Sequence, residues 1–127
     1  MGEKILLVED DKILIDMYQK LLSNHGYGVD LAMDGVEGLK KAIEGRPALI
    51  LLDIKMPKMD GMTMLKLLRE NDWGKSAKVI ILTNLDASDA ILSEVVKDQP
   101  AYYLIKSNTK PEQVIEHVKE VLGEVKN

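Results

Sequence analysis

Five short apolar runs, separated by helix-length stretches, leave this chain few folds to choose from. The runs are Lys4 to Val8, Gly28 to Ala32, Ala48 to Leu52, Lys78 to Leu82 and Tyr102 to Ile105. The first, third and fourth are almost wholly aliphatic, with no polar residue at alternate positions. A strand that alternates buries one face, whereas an unbroken aliphatic strand needs cover on both, as in a parallel sheet flanked by helices. Between and after the runs, apolar residues recur at three- and four-residue spacing, as in Leu14, Met17 and Leu21 or Val114, Val118 and Val121. The pattern predicts an α/β fold: a doubly wound, five-stranded parallel sheet with helices on both faces.

Capping signals mark the helix boundaries. Asp34-Gly35-Val36-Glu37 reads as a capping-box variant opening the second helix, with Gly45 as its stop. Asp60 and Asp86 are the expected N-caps of the third and fourth helices. Thr109-Lys110-Pro111-Glu112 opens the fifth, with Pro in the first turn, where a missing N–H costs little. The charged tail from Gly123 to Asn127 is expected to fray.

At 127 residues, with 46% hydrophobic and 30% charged, the chain fits one domain spanning 1–127. A net charge of −4 gives no basic footprint for nucleic acid, so direct DNA or RNA contact is not expected. The absence of Cys excludes disulfides, zinc-thiolate sites and a thiol nucleophile. The sequence shows neither a signal peptide nor a stretch able to span a bilayer, and a cytoplasmic location is the expectation.

In an open parallel sheet, ligands bind beyond the carboxyl ends of the strands, near the point where strand order reverses. At those ends stand Glu9-Asp10-Asp11, Asp53, Thr83-Asn84 and Lys106-Ser107-Asn108. The residues just after Asp53 fix it in place: Pro57 restrains the chain and Asp60-Gly61 forces a turn and a helix start. Gathered carboxylates need a cation, and an all-oxygen set suits Mg²⁺. Mg²⁺, a carboxylate, a hydroxyl and an ammonium together suit phosphoryl transfer, with the carboxylate able to accept the phosphoryl group.

These residues carry a family resemblance. Val8-Glu9-Asp10-Asp11, the segment Asp53-Ile54-Lys55-Met56-Pro57-Lys58-Met59-Asp60-Gly61, Thr83 and Lys106 together resemble the response-regulator receiver domain of two-component signalling, over essentially the whole chain. The resemblance implies a flavodoxin-like sheet in order 2-1-3-4-5. It implies phosphorylation of Asp53 by a sensor histidine kinase or phosphotransfer protein, with no conventional enzyme turnover. Asp10 and Asp53 would bind Mg²⁺ together with the Lys55 backbone carbonyl, and Glu9 would assist through water. Thr83 and Lys106 would contact the phosphoryl oxygens, and Tyr103 would be a switch aromatic. The output would be a downstream protein target, met through the fourth helix, fifth strand and fifth helix, with dimerisation on activation a further outcome. Three positions depart from the family pattern: Ser107 where Pro is usual, Asn84 where a small residue is common, and Gln99-Pro100-Ala101-Tyr102 before the switch aromatic.

Plainer readings stand beside these. The Glu9-Asp10-Asp11 acids also suit a solvated helix start, Thr83 an ST-turn, Lys106 an ordinary surface cation and Tyr103 simple packing. Neither His25 nor His117 has a metal-ligand partner at useful spacing. Two other functions compete: a receiver-like interaction module that is not phosphorylated, and a Mg²⁺-dependent aspartyl-phosphate phosphatase. Phosphatases of the haloacid-dehalogenase type place an Asp-x-Asp nucleophile pair after the first strand, whereas this chain has Glu9-Asp10-Asp11 there and its isolated Asp53 after the third.

Overall fold

The computed structural model describes residues 2–84 and 89–124. Its strands are β1 (Lys4–Val8), β2 (Gly28–Ala32), β3 (Leu49–Leu52), β4 (Val79–Thr83) and β5 (Tyr102–Ile105). The helices are α1 (Lys12–Asn24), α2 (Gly35–Gly45), α3 (Gly61–Glu70), α4 (Asp89–Lys97) and α5 (Pro111–Val121). All pairings are parallel, and the sheet order is β2-β1-β3-β4-β5. The sequence expectation for fold and order is met.

The alternating faces of the aliphatic strands explain where the helices go. Leu6, Val8, Ile50, Leu52, Val79 and Ile81 point to one side and pack with Ala42, Met64, Leu65, Leu68 and Val95 of α2, α3 and α4. Ile5, Leu7, Leu49, Leu51, Ile80 and Leu82 point to the other and meet Tyr18, Leu22, Val114, Ile115 and Val118 of α1 and α5. Two cores therefore share one sheet, and β1, β3 and β4 are buried on both sides.

The local expectations are met with two corrections. Asp34 and Asp60 cap α2 and α3, accepting from the N–H groups of Glu37 and Thr63 at 2.8 Å each. Pro111 opens α5, where the Gln113 side-chain oxygen accepts from the Lys110 N–H at 2.8 Å. The buried stripe of α1 is Ile15, Tyr18 and Leu22, one residue on from the expected stripe; Leu14 and Leu21 are half-buried and Met17 is exposed. Gly45 is the last helical residue of α2, and the left-handed stop falls on Arg46 at φ 46°, ahead of Pro47. Asp86 and the last residues of the charged tail lie outside the described residues. No helix among the described residues is long and apolar enough to cross a membrane.

Candidate functional site

Strand register brings the chemistry together. Val8 lies beside Leu52, and the Asp53 N–H donates to the Val8 carbonyl at 3.0 Å, so Glu9 and Asp53 leave the sheet side by side. Thr83 lies beside Ile105, which places Lys106 one residue beyond. Glu9, Asp10, Asp11, Leu14, Asp53, Lys55, Thr83, Asn84 and Lys106 line one cleft of about 240 Å³.

Glu9, Asp53 and Thr83 are buried, at 3%, 7% and 1% exposure, while Asp10 is exposed at the rim. Each buried acid has defined partners. Glu9 Oε2 accepts from the N–H groups of Asp10 and Asp11 at 3.1 Å each, and Glu9 Oε1 accepts from Lys106 Nζ at 2.5 Å. Asp53 Oδ1 accepts from the Ile54 N–H at 2.7 Å, and Oδ2 lies 3.2 Å from the same Lys106 ammonium. Asp11 caps α1, accepting from the N–H of Ile13 at 2.9 Å and of Leu14 at 3.3 Å, which ties the acidic turn to the helix start.

Burial pushes the Glu9 carboxyl above its ordinary pKa, and the Asp53 charge adds to this against the Lys106 hydrogen bond. Burial works against the Lys106 ammonium, but its bond to Glu9 and the charges of Asp53 and Glu9 outweigh that and hold its pKa above the ordinary value. Oxygen atoms of Glu9, Asp10 and Asp53 all lie within 4.8 Å of one another. Four acids, Glu9, Asp10, Asp11 and Asp53, line the cleft with two lysines, Lys55 and Lys106, so it carries excess negative charge that a divalent cation would relieve. This all-oxygen donor set fits Mg²⁺.

The loop after β3 holds Asp53 by backbone contacts. The Gly61 N–H donates to the Ile54 carbonyl at 2.8 Å, and the Gly35 N–H to the Met59 carbonyl at 3.0 Å. A Cβ on Gly61 would stand 2.1 Å from the Asp53 carbonyl oxygen, so only glycine lets α3 start this close to the acid. Gly61→Ala is expected to cost about 2–4 kcal/mol in urea unfolding, because the obstruction is backbone. An unchanged midpoint would show that the loop yields freely.

The sequence-predicted residues fall in two places. Glu9, Asp10, Asp53, Lys55, Thr83 and Lys106 share the cleft. Tyr103 lies outside it, paired with Ile81 and half-buried against the α2–α3–α4 core, on the sheet face that Thr83 shares by strand alternation. Leu14 as a cleft wall and the Ile54 N–H as a partner of Asp53 escaped sequence reasoning; the first follows from the Asp11 cap placing Leu14 in the opening turn of α1. Ser107 sits in a 3-10 turn, Lys106–Asn108, and no described peptide bond is cis.

Residues 5–119 match the family model described as the response regulator receiver domain. The chain belongs to this family. The receiver domain is 44% identical over 80 residues to the transcriptional regulatory protein DltR of Streptococcus agalactiae, covering 63% of this chain and 35% of that protein. Against the response regulator MprA of a Mycobacterium species the figures are 37% over 87 residues, 68% and 37%. The chain thus spans little more than a third of the length of these curated relatives. Among solved structures, a CheY-like receiver domain protein from Methanospirillum hungatei superposes with a TM-score of 0.88 at 30% identity, covering 98% of this chain and 96% of that one. The receiver domain of the sensor histidine kinase PA1611 from Pseudomonas aeruginosa, solved with magnesium in its active-site cleft, gives 0.86 at 27%, covering 97% and 99%. Receiver domains are phosphoryl acceptors in two-component signalling rather than conventional enzymes, and they bind Mg²⁺ at an acidic pocket.

Proposed function

We propose that this receiver domain accepts a phosphoryl group on Asp53, from a phosphohistidine of a sensor kinase or phosphotransfer protein, in a Mg²⁺-dependent reaction. One observation carries the reading: a buried carboxylate at a strand end, 3.2 Å from an ammonium, with two more acids beside it. An Asp53 oxygen forms the new bond to phosphorus as the bond from phosphorus to imidazole nitrogen breaks; the imidazole leaves with the bonding pair and takes up a proton. Asp10, Asp53 and the Lys55 carbonyl would hold the metal, with Glu9 oriented behind them by the N–H groups of Asp10 and Asp11. When bound, Mg²⁺ neutralises charge on the phosphoryl oxygens.

Thr83 and Lys106 line the same cleft, which supports the reading that the Thr83 hydroxyl and the Lys106 ammonium would meet two phosphoryl oxygens. Engagement of Thr83 would bias Tyr103 on the shared sheet face and alter the surface of α4, β5 and α5 seen by a downstream protein or a second copy. The domain would occupy 1–127 and act in the cytoplasm.

Intact mass after acetyl phosphate treatment tests the site. One phosphoryl group is expected with Mg²⁺ and none with EDTA, and peptide mapping should place it on Asp53. Mg²⁺ alone should raise stability, by about 2.7 kcal/mol at a hundredfold excess over its dissociation constant. Labelling elsewhere would overturn the assignment, and the absence of any Mg²⁺ effect on labelling or stability would favour an unphosphorylated interaction module.

A further inference from the structure

The end of α4 remote from Asp53 is fastened by one side chain from another helix. Arg69, in the last turn of α3, donates from Nε to the Asp98 carbonyl at 2.8 Å and from Nη2 to the Gln99 carbonyl at 3.0 Å. Its Nη1 donates to the carbonyls of Gly74 and Ala77, at 2.7 Å each. Four of the five guanidinium N–H donors are thereby used on backbone acceptors. Asp98 and Gln99 directly follow α4 and their N–H groups donate back to the Val95 and Val96 carbonyls at 3.0 and 3.1 Å, so Arg69, by taking their own carbonyls, fixes the two residues that close the helix. Among the described residues no carboxylate pairs with Arg69 within 4.0 Å, so the group acts as a planar clamp on carbonyl groups.

Both sides of the clamp are constrained. On the α3 side, the Gly74 N–H donates to Asn71 Oδ1 at 3.0 Å, and a Cβ on Gly74 would stand 2.0 Å from the Leu68 carbonyl oxygen. On the α4 side, Gln99 is left-handed at φ 51° and precedes Pro100, and the Ala101 N–H then donates to the Val79 carbonyl at 2.7 Å to start β5. A non-glycine residue stays in that conformation only where its surroundings fix it, and Arg69 is one of the groups fixing it. The cleft lies at the other end of β4, next to Thr83, about 13 Å away along the nine residues of α4.

We propose that Arg69 is a positioning residue that bolts the carboxyl end of α4 to the α3 corner, making Asp98-Gln99 the fixed pivot about which phosphorylation moves α4. The inference rests on Asp53 as the acceptor and adds how the signal is routed: α4 swings at its amino end and does not slide as a rigid body. Arg69 touches neither the phosphoryl group nor the metal ligands; it acts through the corner carbonyls.

Amide hydrogen exchange on the full chain tests this in two arms. In the unphosphorylated protein, Arg69→Met should speed exchange at Asp98, Gln99 and Ala101 by roughly ten- to a hundredfold, with Arg69→Lys restoring part of the protection. Unchanged corner exchange in Arg69→Met would overturn the clamp, whatever the fate of Asp53. In the second arm, after the phosphoryl mass is confirmed, the first turn of α4 should change by roughly tenfold while the corner amides of the parent protein stay within about twofold. In Arg69→Met the corner should respond as well, and Trp73, the single tryptophan, should become sensitive to phosphorylation in its emission. A purely structural Arg69 would alter stability without altering that response. Corner amides in the parent that change as much as the first turn would overturn the pivot and leave the phosphorylation assignment standing.

Discussion

Asp53→Asn is expected to unfold at higher urea than the parent protein in EDTA, by about 1 kcal/mol, while taking up no phosphoryl group. The sign comes from the burial of Asp53, once the charges around it are weighed against one another. Glu9 and Asp10 offer oxygens within 4.8 Å of it, each opposing its charge by roughly 3 kcal/mol at an effective dielectric near 20. Lys106 at 3.2 Å offers an attraction of roughly 5 kcal/mol on the same basis. These opposing effects nearly cancel, so desolvation of a carboxylate only 7% exposed decides the balance, and it favours the neutral amide. The amide oxygen can still accept from the Ile54 N–H, and the amide nitrogen, standing where Oδ2 accepted from Lys106, can donate to the neighbouring Glu9 and Asp10 carboxylates. In Mg²⁺ the order should narrow or reverse, because the parent gains the metal's binding energy and the variant loses a ligand. Paired urea titrations in EDTA and in Mg²⁺ check both statements. A variant less stable than its parent in EDTA would mean that Lys106 outweighs the repulsion.

The parts of this fold that the sequence disclosed are those where burial leaves little choice. Strands covered on both faces must be aliphatic, and the strand boundaries fell within a residue of their expected places. The face of α1 was less legible because two apolar stripes overlap on it, Leu14-Met17-Leu21 and Ile15-Tyr18-Leu22, and only packing on the sheet selects the second. The stop of α2 slipped from Gly45 to Arg46 because Pro47 already prevents the helix from continuing, so the glycine need not be the left-handed residue. The site was legible as a set of strand ends. Its pairing was not, since nothing in the sequence says that Lys106 takes Glu9 as its closest partner or that Asp53 leans on the Ile54 N–H. Arg69 gave no signal, because an arginine in the last turn of a helix reads as an ordinary favourable surface cation.

Lys106→Met should destabilise the protein by about 3 kcal/mol in EDTA at pH 7, because it leaves Glu9 and Asp53 buried without their common cation. The pH dependence separates this from lost packing. The Lys106 pKa is raised on folding, so its contribution is fully present below the ordinary lysine range and is lost only as pH climbs through the raised value; at pH 7 the variant forfeits all of it. Glu9 is also raised on folding, and removing Lys106 takes away the hydrogen bond that restrains the shift. A carboxyl with a raised folded pKa favours the fold below its unfolded pKa and loses that benefit as pH rises. The deficit of Lys106→Met should therefore be smaller at pH 5 than at pH 7. Mg²⁺ should recover more stability in the variant than in the parent, since the metal then supplies the counter-charge that the ammonium supplied. Lys75→Met is the control: its side chain is 65% exposed beside an exposed Asp72, and it should shift stability by no more than about 0.5 kcal/mol. If the Lys106→Met deficit were equal at both pH values and indifferent to Mg²⁺, Lys106 would be held by packing alone, and the charge pairing inferred for the cleft would fail.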